Sequence, residues 1–116
     1  MQQKGVTAMR QGLEQLLAKG QDNALLRFGL GNACFKDGDY GLAAEHLQKA
    51  VEHNPQYSAA WKLLGKALLE TGDTAQAQAV WQQGMQSAEA NGDSQTVKEI
   101  AVFLKRLAKA QQTPAA

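Results

Sequence analysis

The sequence holds a single cysteine, Cys34, among 116 residues. A disulfide within the chain is therefore excluded, and that usage suits a reducing compartment. An excess of one charge is also lacking, because the formal net charge is +1. No strong pull on a polyanion follows, so nucleic acid is not an expected partner. No apolar run approaches the ~20 residues of a membrane-spanning helix, so no membrane partner is expected. The opening residues Met1-Gln2-Gln3-Lys4-Gly5 lead into a polar-patterned helix without a secretory apolar core. No signal peptide is expected, and the cytoplasm is the expected location. Strand signals are scarce: Ala, Leu, Gln, Lys and Glu dominate, and all favour helix.

Catalytic constellations are missing as well. His46 and His53 lie two helical turns apart on one face, about 10 Å along the axis at ~1.5 Å per residue. That is too far to share one metal, so the expectation is two solvated surface histidines and no metal site. Cys34 falls at an apolar interior position and is expected to be a small buried hydrophobe, not a nucleophile. Neither Gly-Asp pair belongs to a phosphate loop, since each is matched by the other in a repeat. No catalytic residue and no cofactor are expected, and the chain is not read as an enzyme.

What is present is a repeat. Residues 24–55 recur in residues 58–91 when the chain is shifted by 34 positions. Leu30 meets Leu64, Gly31 meets Gly65, Ala33 meets Ala67, Gly38-Asp39 meets Gly72-Asp73, and Ala43 meets Ala77. Elsewhere the match is of type: Cys34 with Leu68, Phe35 with Leu69, Leu47 with Trp81, Ala50 with Gly84. A period of this length describes a helix–turn–helix unit stacked in an array. The small residues let paired helices approach closely, and Leu30, Leu64, Leu47 and Trp81 fill the remaining space. Each Gly-Asp ends one helix and starts the next: Gly takes the left-handed turn, and Asp39 or Asp73 is expected to cap the following N-terminus.

These residues resemble the tetratricopeptide repeat family. The second copy carries Trp61, Leu64, Gly65, Leu68, Gly72, Ala77, Trp81 and Gly84 at the pattern positions. The first carries Arg27, Leu30, Gly31, Cys34, Gly38, Ala43, Leu47, Ala50 and Pro55. Arg27 replaces a bulky apolar residue, which suggests an atypical edge of the array. Glu89 replaces the closing Pro, which suggests that the helix before it runs on.

The expected fold is therefore all-α, a right-handed α-α superhelix of about six helices forming one domain. An N-terminal half-repeat helix covers residues 6–19, with Val6, Met9, Leu13, Leu16 and Leu17 on one face. Shifted by one repeat, Met9 falls on Ala43, Leu13 on Leu47 and Leu17 on Val51. The helix is thus the second half of a repeat whose first half is missing. The first repeat covers 24–57 and the second 58–91, with Ser58 as a candidate cap. A capping helix covers 94–110, with Ser94 as its candidate cap, and residues 111–116 form a frayed tail. The apolar positions of that last helix are Val97, Ile100, Ala101, Phe103, Leu104, Leu107 and Ala108, enough to cover the last repeat.

The resemblance implies a concave groove lined by the first helix of each pair. Its positions are Leu25, Phe28, Asn32, Phe35 and Lys36 in the first copy. In the second they are Ala59, Lys62, Lys66, Leu69 and Glu70. Gln95, Lys98, Val102, Lys105 and Arg106 follow on the last helix. The groove residues expected to matter most are Phe28, Asn32, Phe35, Lys36, Lys62, Lys66, Leu69, Lys98 and Lys105. Phenylalanines at one end and lysines at the other suit a protein or peptide partner with apolar anchors and an acidic part. Some relatives clamp the acidic tail of heat-shock chaperones, but Phe28 and Leu63 stand where that clamp needs Lys and Asn. The expected function is a non-enzymatic protein-interaction module that holds a peptide or protein segment in this groove. The alternative is self-association, as a homodimer, through the uncovered N-terminal edge.

Overall fold

Six α-helices follow one another in a computed structural model that describes residues 4–112, with side chains described from residue 8. They are α1 (Lys4–Ala18), α2 (Ala24–Lys36), α3 (Tyr40–His53), α4 (Ser58–Glu70), α5 (Thr74–Ala90) and α6 (Ser94–Gln112). There is no strand among the described residues. The side chain of Val6 and residues 113–116 of the expected tail lie outside what is described, whereas Gln111 and Gln112 continue α6.

The turns explain the spacing. α1, α2, α4 and α5 each end in a glycine with positive φ: Gly20, Gly38, Gly72 and Gly92. At Gly38 and Gly72 the chain reverses because the residue after the glycine donates five positions back, Asp39 N to Cys34 O at 2.9 Å and Asp73 N to Leu68 O at 3.0 Å. A side chain at either glycine would strain this left-handed turn. α3 ends differently, at Asn54-Pro55, where proline disfavours helix in the residue before it. α5 has 17 residues against 14 in α3, in keeping with Glu89 standing where the pattern has Pro.

Caps depart from the sequence expectation in three places. Asp73 does accept from Gln76 N at 3.2 Å, but Asp39 makes no side-chain cap bond. Its carboxylate is drawn away by Arg10 of α1, which donates to Asp39 at 3.0 Å, Asp37 at 3.1 Å and Glu14 at 3.1 Å. Ser58 is not a cap either: its hydroxyl is buried and donates to Asp93 at 2.8 Å. Asp93, rather than Ser94, then accepts from Thr96 N at 3.1 Å at the start of α6. Asp37 foremost, with Glu14 and Asp39, holds the Arg10 guanidinium above its ordinary pKa. Arg10→Ala should therefore loosen α1, by roughly 1 kcal/mol for a part-exposed charge network. Faster amide exchange in α1 alone, with α4 and α5 unchanged, is the expected readout.

Helices pack as antiparallel neighbours in chain order. α2 lies on α3 and α4 on α5 most extensively, while α2, α4 and α6 also touch along one side. The extents are 47 × 37 × 20 Å with a radius of gyration of 15.0 Å. That is longer than the ~13 Å of a compact domain of this size, as stacked repeats require. The larger core unites Cys34, Leu47, Ala50, Val51, Leu64 and Val80 across α2 to α5. A second unites Ala77, Trp81, Ile100 and Leu107, and Leu68 packs against both. Trp81 lies directly against Gly65 and donates from Nε1 to Lys62 O at 3.0 Å.

Candidate functional site

Residues at i, i+4 and i+7 share one helix face, and three such rows come side by side. α2 presents Phe28, Asn32 and Phe35; α4 presents Lys62, Lys66 and Leu69; α6 presents Glu99, Phe103 and Arg106. Cross-helix contacts tie the rows together. Lys62 Nζ pairs with Glu99 at 2.6 Å. Lys66 Nζ lies 5.7 Å from the Phe35 ring centre and 5.9 Å from that of Phe103. Its charge is therefore held over two aromatic faces. Phe35 meets Tyr40 edge-on at 5.0 Å, and Phe28 leans on Tyr57 at 5.0 Å.

Between α4, α5 and α6 these rows leave a hollow of about 330 Å³. Its walls are Leu69, Trp81, Phe103 and Leu107, and its rim carries Lys66, Glu70 and Arg106. The Trp81 and Phe103 rings meet at 5.2 Å, tilted by 33°, so the hollow has an aromatic floor. Neither Lys66 nor Arg106 makes an ion pair among the described residues. Lys62 differs, because Glu99 occupies its ammonium, and that contact holds the Glu99 carboxyl below its usual range.

The nine sequence-derived residues thus divide. Phe35, Lys66 and Leu69 come together around or beside the hollow. Phe28 and Asn32 are half-buried further along α2, and Lys36 is exposed at its end. Lys98 lines a different hollow of about 290 Å³ at the α5–α6 turn, and Lys105 is exposed. On α6 they lie roughly 100° around the helix from Glu99 and Arg106. Phe103 lines the hollow but was not among the sequence-derived residues. It stood among seven apolar positions of α6, too wide a band to show which part faces the core and which the groove.

A second polar cluster lies between α2 and α3. Arg27 donates to both Asp22 oxygens, at 2.7 and 2.9 Å, and to His46 Nδ1 at 3.0 Å. His53 Nε2 meets Asp22 at 3.0 Å. The expectation of two solvated histidines fails for His46, which is only 8% exposed. Arg27, standing where the repeat has a bulky apolar residue, covers it and supplies its hydrogen bond. Burial first, then Arg27, pushes the His46 pKa down from 6.5. A guanidinium can only donate, so Nδ1 accepts and the ring is neutral. The unfolded chain protonates this ring more readily than the folded one. Its contribution to stability is therefore whole above about pH 6.5 and fades as pH falls through the lowered folded value. His46→Gln should flatten that fall in melts run from pH 7 downwards. Cys34 is fully buried and its thiol is pushed up to about 11 by desolvation, so it is no nucleophile at neutral pH. Among the described residues no group of His, Cys, Asp and Glu could hold a metal ion. No described helix is long and apolar enough to cross a membrane.

Close helix pairs with a row-lined groove are what interaction repeats provide, and comparison with known proteins agrees. Two tetratricopeptide repeat family models match, over residues 35–99 and 10–58. The TPR repeat-containing protein PA0015 of Pseudomonas aeruginosa is 55% identical over 103 residues, covering 89% of this chain and 98% of that protein. The solution structure of protein BPP2914 from Bordetella parapertussis superposes with a TM-score of 0.77 at 45% identity, covering 88% of this chain and 89% of that one. The crystal structure of MamA superposes at 0.63 with 18% identity, covering 89% and 67%, a likeness of fold alone. The chain belongs to the tetratricopeptide repeat family. It is a small all-α superhelical member, and such members are in general protein-interaction modules without catalysis of their own.

Proposed function

We propose that this protein is a non-enzymatic adaptor that holds a segment of a partner protein against α2, α4 and α6. One observation carries the reading: an apolar hollow beside Leu69, Trp81 and Phe103 whose rim bears two cations without ion-pair partners, Lys66 and Arg106, against one carboxylate, Glu70. A hollow of that size takes a single large apolar side chain. An acidic group next to that side chain meets Lys66 and Arg106, and the aromatic rings of Phe35 and Phe103 lower the local polarity around the contact. Asn32, half-buried in the α2 row, is placed to bond a bound backbone. Lys62 contributes through Glu99, by fixing α6 against α4, and not as a ligand contact.

The test is binding of a peptide library in which an apolar residue is followed by Asp, Glu or the C-terminal carboxylate. Lys66→Glu with Arg106→Glu should weaken capture at least tenfold at an unchanged melting temperature, since both side chains are on the rim. Lys62→Ala should weaken it less. Equal capture by wild type and the double variant would sink the proposal. A second reading, self-association, draws on the exposed Met9 and Leu16 of α1, a face separate from the groove.

A further inference from the structure

The first and last described helices, α1 and α6, are opposite halves of the same unit. α1 occupies the register of a second helix, with Met9, Leu13, Leu16 and Leu17 matching Ala43, Leu47, Ala50 and Val51. α6 occupies the register of a first helix, with Val97, Ala101 and Leu104 matching Trp61, Gly65 and Leu68 when the helix starts Ser94 and Ser58 are aligned. In the complete pairs these positions are covered: Ala43 and Ala50 are 0% exposed. On α1 the matching Met9 and Leu16 are 48% and 37% exposed. On α6, Ala101 and Ala108 are exposed and Val97 and Leu104 only half-buried. Leu13 already meets α2 at Gly29 and Leu104 packs on the second core, but Met9 and Leu16 on α1 and Ala101 and Ala108 on α6 stay exposed.

We infer that α6 of one copy pairs with α1 of the next, so that two half-repeats complete a repeat and copies join head to tail. The pairs already present in the molecule are the template. In them the second-helix side chain sits in a notch of the first helix: a Cβ on Gly31 would stand 2.5 Å from Leu47 Cγ, and Trp81 fills the notch at Gly65. At the junction Leu13 takes the place of Leu47, and Ala101 of the neighbouring copy takes that of the glycine. Trp61 lies on Gly84, its Cβ 2.7 Å from where a Gly84 Cβ would be. The junction reverses those sizes, a small Val97 facing a large Leu16, and so conserves volume. Met9 and Ala101 are larger than their counterparts, so these helices lie further apart than in the complete pairs, and the contact is the weaker one. A patch that meets a different patch on its neighbour is heterologous. Association along a superhelix is then open-ended, and α2, α4 and α6 of successive copies continue one groove.

Sedimentation equilibrium with complementary end-blocked variants tests this. Met9→Glu with Leu16→Glu blocks α1, and Ala101→Glu with Ala108→Glu blocks α6. All four positions are exposed, so each variant should keep the wild-type circular dichroism and melt. The wild-type average mass should rise with concentration beyond twice the monomer. Each blocked variant should be a monomer by itself, and their equimolar mixture should approach twice the monomer mass and stop there. Two results would overturn the inference: a wild-type monomer at every concentration up to about 1 mM, or a dimer formed by the α6-blocked variant alone, which would mean a two-fold α1–α1 contact.

Discussion

Gly65→Leu should unfold the second helix pair. A Cβ at this position would fall within the space of the Trp81 ring, against Nε1, Cδ1 and Cε2. Trp81 is buried, packed against Phe103 and bonded to Lys62 O. Overpacking typically costs 1–3 kcal/mol and the lost buried hydrogen bond about 1 more. For a domain of this size roughly 3 kcal/mol lowers the melting temperature by about 10–15 °C. A melt within 2–3 °C of wild type, on the order of 1 kcal/mol or less, would show that α4 and α5 do not approach this closely.

Trp81→Ala should have the second large effect, on stability and binding together. Truncating a buried tryptophan costs about 3–5 kcal/mol, because the cavity left behind collapses only partly. Here the same ring is the floor of the groove hollow. Peptide capture should therefore fall further than the unfolded fraction alone explains. A size exchange separates packing from identity. In Gly65→Leu with Trp81→Ala the new leucine fills the vacated space, and the double variant should be more stable than the sum of its parts by over ~1 kcal/mol. Strict additivity would mean that the two positions are not in contact.

The helices, their order and their turns were legible because each rests on local rules. The left-handed glycines at 20, 38, 72 and 92 and the Asn54-Pro55 stop need no knowledge of distant residues. Close packing was legible from paired identities, since Gly31 with Leu47 and Gly65 with Trp81 repeat one small-against-large arrangement. Cys34 was legible as core for the same reason. Other features were hidden. Asp39 and Asp73 hold the same place in their repeats, yet one caps and the other pairs with Arg10, because only the first repeat has α1 beside its turn. His46 reads as solvated in the sequence, but Arg27 lies across it in the fold. Lys62 and Lys66 share a helix face and looked alike, but Glu99 of α6 reaches only the first.

The sequence by itself determined the repeat and the all-α architecture, because these follow from spacing, and spacing is local. Only the tertiary structure decided which charges are consumed and which stay available. An ion pair such as Lys62–Glu99 joins residues 37 positions apart, and its partner is set by how α6 rotates against α4. That rotation comes from Ile100 under Gly84 and Phe103 on Trp81. It is a packing outcome of the whole array, and no single stretch of the chain encodes it.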